Sequence, residues 1–160
     1  VVNQTQDIHL KGEKFLTFEV SPFLKIELDE MAMVSDGVIT ARVKVNRGVS
    51  KEDFKSLVSK SGNYDDSYLN MTDIQLFVSQ SSSCGYRARD ERWSNEIKYT
   101  GKEFETMFGK TITITSNPKN PIPSGRKVFI RAAARINYDT PAGSGTKRWN
   151  YSETIEVDIP

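Results

Sequence analysis

The sequence predicts an all-β protein, an antiparallel immunoglobulin- or fibronectin-III-like sandwich carrying one short helix. Three observations carry this expectation. Apolar and polar residues alternate with period two in one short segment after another; Gly, Pro, Asn, Asp and Ser punctuate those segments; and a single stretch has helical spacing.

Taken in order, "QDIHLKG" places Ile8 and Leu10 on one face, and "FLTFEV" places Phe15, Phe18 and Val20, with a hairpin turning at "KGEK". A Ser-Pro joint at Pro22 ends this run, since proline donates no ladder hydrogen bond. Residues 1–21 therefore read either as the terminal strands of a preceding β domain or as an extra hairpin, and residues 22–160 as the sandwich itself. "FLKIELDEMAMVS" sets Leu24, Ile26 and Leu28 at period two. "VITARVKV" sets Val38 or Ile39, then Ala41, Val43 and Val45, inward, with Arg42 and Lys44 in water. Asp36-Gly37 between them is a two-residue hairpin signal, because glycine accepts the positive φ such turns require. The helix is "SKEDFKSLVSKSG": Ser50 or a neighbour caps it, Glu52 and Asp53 favour its first turn, and Phe54, Leu57 and Val58 share a face.

After the polar loop "NYDDSY", "MTDIQLFVSQ" alternates Ile74, Leu76 and Val78 with Gln75 and Phe77. "NEIKYT" and "KTITITS" follow as strands, the second with Ile112 and Ile114 inward and threonines outward, and "GKEFETMFG" reads as an irregular helical turn between them. "RKVFIRAAARINY" is the longest alternating run, with Val128, Ile130, Ala132, Ala134 and Ile136 on one side and Arg131 and Arg135 on the other. "WNYSETIEVDIP" closes the chain with Ile155, Val157 and Ile159 inward. Strict period two predicts that Ile130, Ala132, Ile155 and Val157 face one core.

The stretch "IPSGRKVFIRAAARINY" followed by "NYSETIEVDI" resembles the last hairpin of a fibronectin type III sandwich, although Val128 or Phe129 stands at the usual aromatic position, so the likeness is architectural. Together with "TFEVSPFLKIEL", "VITARVKVNRG", "IQLFVSQSSSCG", "RWSNEI" and "GKTITITS", these segments resemble the C-terminal domain of an uncharacterised family of Bacteroidetes surface lipoproteins encoded beside starch-utilisation-type transporter and glycan-binding lipoprotein pairs. That resemblance implies a cell-surface protein, anchored in the outer membrane through a segment lying before this sequence. It would work near glycan uptake, with an outer-membrane transporter or glycan-binding lipoprotein as partner. Residues 1–20 would be the end of a transthyretin-like domain. No family site transfers by position.

Composition removes several classes. Twenty-two basic against twenty-one acidic residues give a net charge of +1, so no global field draws the chain to nucleic acid. No apolar run reaches membrane-spanning length, and the first residues lack the basic and apolar regions of a signal peptide. The single cysteine, Cys84, forms no intrachain disulfide, and no Cys/His cluster is spaced for zinc. No metal or other cofactor is expected.

Catalytic readings find little support. His9, the one histidine, has no Ser or Asp grouped with it and reads as a surface strand residue. Cys84 lies near Arg87 and Arg89, a setting that lowers a thiol pKa, but it has no histidine or resolving cysteine. Asp65, Asp66, Asp90 and Glu91 read as solvated loop charge rather than a glycosidase pair. Asp65, Asp66 and Asp73 lack the spacing and turn glycine of a calcium loop. The triplets at Asn3, Asn70 and Asn150 match a glycosylation acceptor that has no meaning in a bacterial protein. The expectation is that the protein is not an enzyme.

The aromatic residues remain. Trp93, Trp149, Tyr86, Tyr99, Tyr138, Tyr151, Tyr64 and Tyr68 fall in or beside loops, among Arg87, Arg89, Arg92, Arg148, Asp90 and Asn95. Sugars offer C–H faces that stack on rings and hydroxyls that bond to planar polar groups, so such a set suits a glycan platform. Rings packed on arginine stems to cover the sandwich rim are the plain alternative. A tryptophan set among charges, as in "RDERWSNEIKY", is expected outside the deep core. The specific expectation is that Trp93, Trp149, Arg92 and Tyr151 share one exposed ligand-binding surface. The function read from the sequence is thus a non-catalytic surface module that binds glycan or supports a glycan-uptake complex. The alternative is a structural or protein-contact sandwich, a spacer or pilus-like subunit.

Overall fold

The computed structural model describes residues 21–60, 62–100, 102–139 and 147–160. Expectations for residues 1–20, His9 and the first hairpin among them, lie outside the described residues. Eight strands are described: β1 (Leu24–Leu28), β2 (Met33–Ser35), β3 (Val38–Arg47), β4 (Met71–Ser79), β5 (Asn95–Lys98), β6 (Thr111–Thr115), β7 (Lys127–Ile136) and β8 (Asn150–Asp158). With them come one helix, α1 (Lys51–Ser59), and two short 3-10 turns, Asp66–Leu69 and Glu103–Thr106.

The first sheet is built on β3. β1 and β2 pair successive halves of one flank, with Ile26 opposite Val45 and Val34 opposite Ile39, and β6 pairs the other flank, with Ile114 opposite Ala41. The second sheet runs β5-β4-β7-β8, antiparallel throughout. This is the two-sheet order of a fibronectin-III-like sandwich. The segment "FLKIELDEMAMVS" is two strands: it breaks after Leu28, where the Asp29 N–H donates to the Arg42 carbonyl and the Asp29 carboxylate accepts from the Met31 N–H. Asp36 and Gly37 carry φ of 50° and 73°, the paired positive values of a tight hairpin turn. A Cβ at Gly37 would sit 2.4 Å from the Ile122 carbonyl oxygen, so only glycine fits there. Ser50 caps α1, its hydroxyl accepting from the Asp53 N–H, and Phe54 and Val58 turn into the core while Leu57 is half-buried.

The core lies between the inner faces. Ile39, Ala41, Val43, Val45, Ile112 and Ile114 meet Ile74, Leu76, Val78, Val128, Ile130, Ala132 and Ala134 across it. Val157 is buried and Ile155 half-buried against the same core, as period two requires. Phe23, Phe54 and Tyr138 fill one end as edge-to-face pairs 5.3–6.0 Å apart, with Tyr64 and Tyr68 beside them. These three tyrosines therefore serve packing.

Two bulges interrupt the second sheet. On β4 the register with β7 shifts between Met71 and Asp73, so Met71 enters the core although Asp73, Gln75 and Phe77 lie on the outer face. On β8 the register shifts opposite Arg131 and Ala133. Ile155, Val157 and Ile159 face inward, yet Tyr151 pairs with Ala133 on the outer face; unbroken alternation would have sent Tyr151 and Trp149 inward. The bulged Ser152 is itself buried, its hydroxyl accepting from the Ala132 N–H at 3.1 Å and donating to the Glu153 carbonyl.

Trp93 corrects an expectation. It is 4% exposed and belongs to the core between the sheets. The reason is local: the Asp90 carboxylate accepts from the Arg92 N–H, Nε and Nη2, and the Asp90 carbonyl accepts from the Ser94 N–H, so the turn throws its charges outward and drops the indole inward. Arg92 and Arg126 then roof the ring, their guanidinium carbons 5.0 and 5.7 Å from its centroid. Trp93→Ala should lower unfolding stability by about 3–5 kcal/mol in urea titration, as truncation of a buried aromatic does. A loss under about 1 kcal/mol would mean that the ring is not part of the core.

Candidate ligand-binding site

The outer face of the second sheet carries a second, smaller cluster. Phe77, Cys84 and Ala133 are each 0% exposed, with Phe129, Trp149 and Tyr151 packed around them. They are buried because the β4–β5 loop folds back over the sheet. Its carbonyl at Ala88 accepts from the Ser79 hydroxyl at 2.5 Å, the Asp90 N–H donates to the Val78 carbonyl at 2.7 Å, and the Cys84 thiol points at the Phe77 carbonyl at 3.5 Å.

Between this loop and the start of β8 lies a cleft of about 570 Å³. Tyr86, Trp149 and Tyr151 supply its rings, and Arg87, Arg131, Arg135, Lys147 and Arg148 its charges. The rings of Tyr86 and Trp149 stack at 6.0 Å and 28°. Tyr86 is 46% exposed and Trp149 half-buried, so both keep surface for a ligand. Arginines brace the rings from the sheet: Arg135 lies 4.1 Å from the Trp149 centroid and Arg131 4.5 Å from that of Tyr151. Each arginine is itself fixed. Arg131 Nε donates to the Ser152 carbonyl at 2.7 Å, and Arg135 Nε to the Asp73 carboxylate at 2.8 Å. Asp73, almost wholly buried, also accepts from the Thr72 hydroxyl and the Gln75 amide, so the charge under Trp149 is well satisfied.

The structure thus brings together two of the four residues expected to share a surface, Trp149 and Tyr151. Trp93 faces the core on the other side of the sheet, and Arg92 goes with it, roofing Trp93 and paired to Asp90. Sequence reasoning left Arg131, Arg135 and Lys147 out of the site. Their signal was present: Arg131 and Arg135 share the outer face of one strand, and Lys147 immediately precedes the Arg148-Trp149 pair.

A second hollow, of about 630 Å³, sits by α1, lined by Lys51, Glu52, Lys55, Tyr64, Asp66, Lys102 and Glu105 among others. Of its charges Glu105 is engaged, pairing with Lys51 of the lining at 3.4 Å and with Arg47 outside it at 2.9 Å. Asp65 caps the first 3-10 turn and Glu91 pairs with Arg89. Among the described residues no group of three His, Cys, Asp or Glu side chains gathers as a metal site.

Neither a protein-family model nor a curated protein matches the chain. Solved structures do. A DUF3823 family protein from Bacteroides uniformis shares 62% sequence identity, with a TM-score of 0.84, over 89% of this chain and 58% of its own. The chain is similar to that protein. It spans less than two thirds of that relative's length. A "putative carbohydrate binding protein" from Bacteroides uniformis superposes at TM-score 0.58 with 14% identity, over 89% of this chain and 60% of its own. A DUF3823 family protein from Bacteroides ovatus does so at 0.53 with 15% identity, over 88% and 57%. These two share the fold. An uncharacterised Bacteroidetes family, as the sequence resemblance implied, fits these neighbours.

Cys84 lines the cleft but is no nucleophile. Burial pushes its thiol up to about 12 from an ordinary 9.0, against a smaller lowering by Arg131. At pH 8 only about one thiol in ten thousand is ionised at such a value. Iodoacetamide at pH 8 should leave the native protein unmodified over hours and alkylate it promptly in 6 M guanidinium. Equal rates in the two states would contradict the burial. The group's contribution to stability is present below about pH 9 and is lost as pH rises toward 12, because the unfolded thiol ionises first.

Proposed function

We propose that this chain is a non-catalytic module of a DUF3823-type protein at the bacterial cell surface, and that it holds a glycan in the cleft between Tyr86, Trp149 and Tyr151. The observation that carries the reading is the arginine-braced ring set on the rigid outer face of the second sheet: two stacked rings, partly open, flanked by fixed N–H donors. Flat apolar faces beside planar polar groups match the C–H faces and hydroxyls of a pyranose. Attachment to the outer membrane and work beside a transporter are part of the proposal and follow from the family likeness. The carbohydrate-binding description of one neighbour agrees with it, and at 14% identity it bears on fold alone.

A spacer or protein-contact domain is the second reading, and exposed Met31 and Met33 near the β1–β2 turn favour it. Two side chains make a small contact compared with the roughly 800 Å² per partner of a standard interface, so the cleft outweighs them.

Affinity electrophoresis on a panel of polysaccharides tests the reading. Trp149→Ala and Tyr86→Ala should each weaken retention by about tenfold, the effect of losing one stacking ring. Tyr86→Ala should lower the melting temperature less than Trp149→Ala does, since Tyr86 is 46% exposed and Trp149 half-buried. Unchanged retention in both variants would overturn the proposal.

A further inference from the structure

We infer that the cleft selects acidic glycans, holding the sugar through an anionic substituent, carboxylate or sulfate. This rests on the glycan-binding reading above and adds the charge of the ligand to it. Five cationic side chains, Arg87, Arg131, Arg135, Lys147 and Arg148, line the cleft, and among the described residues no Asp, Glu, Asn or Gln does. Guanidinium and ammonium groups only donate hydrogen bonds. A neutral sugar hydroxyl donates as well as accepts, and a cleft made for it would offer carboxylate or amide acceptors beside its donors. Here the side-chain acceptors are the hydroxyls of Ser83, Tyr86 and Tyr151. A donor-rich wall suits an acceptor-rich ligand, and carboxylate or sulfate oxygens are acceptors alone.

The cations are also prearranged. Stacking on Tyr151 and Trp149, together with bonds to the Ser152 carbonyl and to Asp73, fixes Arg131 and Arg135 before any ligand arrives. Less side-chain freedom is then lost on binding. Asp73 offsets Arg135 and Asp139 lies 4.0 Å from Lys147, so five cations stand against two neighbouring carboxylates and the excess positive charge is local to the cleft, in a chain that carries only +1. A concave wall of one sign concentrates the potential where the ligand enters.

The test is affinity electrophoresis of the parent chain, Trp149→Ala and the double variant Arg87→Gln/Arg148→Gln. The gels would contain polygalacturonate, κ-carrageenan, carboxyl-reduced polygalacturonate, pullulan or single-stranded DNA. Arg87 and Arg148 are both exposed, and the melting temperature of each variant, measured beside its retention, separates a loss of fold from a loss of binding. The expected result is retention on polygalacturonate or κ-carrageenan at least about tenfold stronger than on the two neutral polymers, reduced at least about tenfold in the double variant and in Trp149→Ala. Retention on polygalacturonate alone identifies a carboxylate, and on κ-carrageenan alone a sulfate. Measurable retention that is equal on polygalacturonate and its carboxyl-reduced form overturns charge selection and leaves glycan binding standing. No retention on any polysaccharide, preference for single-stranded DNA, or retention on acidic polymers that survives Trp149→Ala overturns both.

Discussion

Strand β7 is buried on both of its faces, and the rest of the structure depends on that. Ala132, Ala133 and Ala134 are consecutive and all fully buried, which a strand with one wet face does not allow. Ala132 and Ala134 meet the first sheet, while Ala133 meets Phe77 and Cys84. Small side chains are required because close packing presses on both sides at once. The loop carrying Cys84 thereby becomes a lid on the sheet, and its edge, with the first residues of β8, makes one wall of the cleft.

Double burial would be wasted without the two bulges that sort side chains between faces. The β8 bulge at Ser152 keeps Ile155 and Val157 in the core while presenting Tyr151 and Trp149 to the outside. The β4 bulge at Thr72 keeps Met71 in the core while presenting Asp73, which anchors Arg135 beneath Trp149. Each adds one residue to a strand at the end nearest the cleft. Both cleft arginines on β7 are clamped by groups those bulges aim: Arg131 by the Ser152 carbonyl, Arg135 by Asp73.

The fold was legible because its signals are local. Period-two runs, the Asp36-Gly37 turn and the Ser50 cap each need only a few consecutive residues, and from residue 21 onward they appear where the sequence placed them. The bulges were not legible, since an extra residue in a strand leaves no mark of composition, and the phase of Tyr151 follows from one. Trp93 misled for a different reason. Charged neighbours argue for an exposed segment, but in a tight turn adjacent side chains point in opposite directions, and Asp90 ties Arg92 outward just where the indole turns in.

Charge hid the site as well. A net charge of +1 from twenty-two bases and twenty-one acids excludes a global field, yet it says nothing about where the bases lie. Arg87 comes from the folded-back loop, Arg131 and Arg135 from the outer face of β7 on either side of Ala133, and Lys147 and Arg148 from the entry to β8. They are dispersed over more than sixty residues of chain, with Asp90, Glu91, Glu96, Glu103, Glu105 and Asp139 between them in sequence; among the described residues none of these lines the cleft, and Asp139 reaches Lys147 from outside it at 4.0 Å. The folded-back loop is what collects them. The chain leaves β4 beside Phe129 and enters β8 beside Ala134, toward opposite ends of β7, and the charges of the two connections meet because the β4–β5 loop runs back over the outer face of β7. In such a sandwich the outer face of the penultimate strand is therefore where a neutral chain can build a cationic site, and residue order along the chain gives no warning of it.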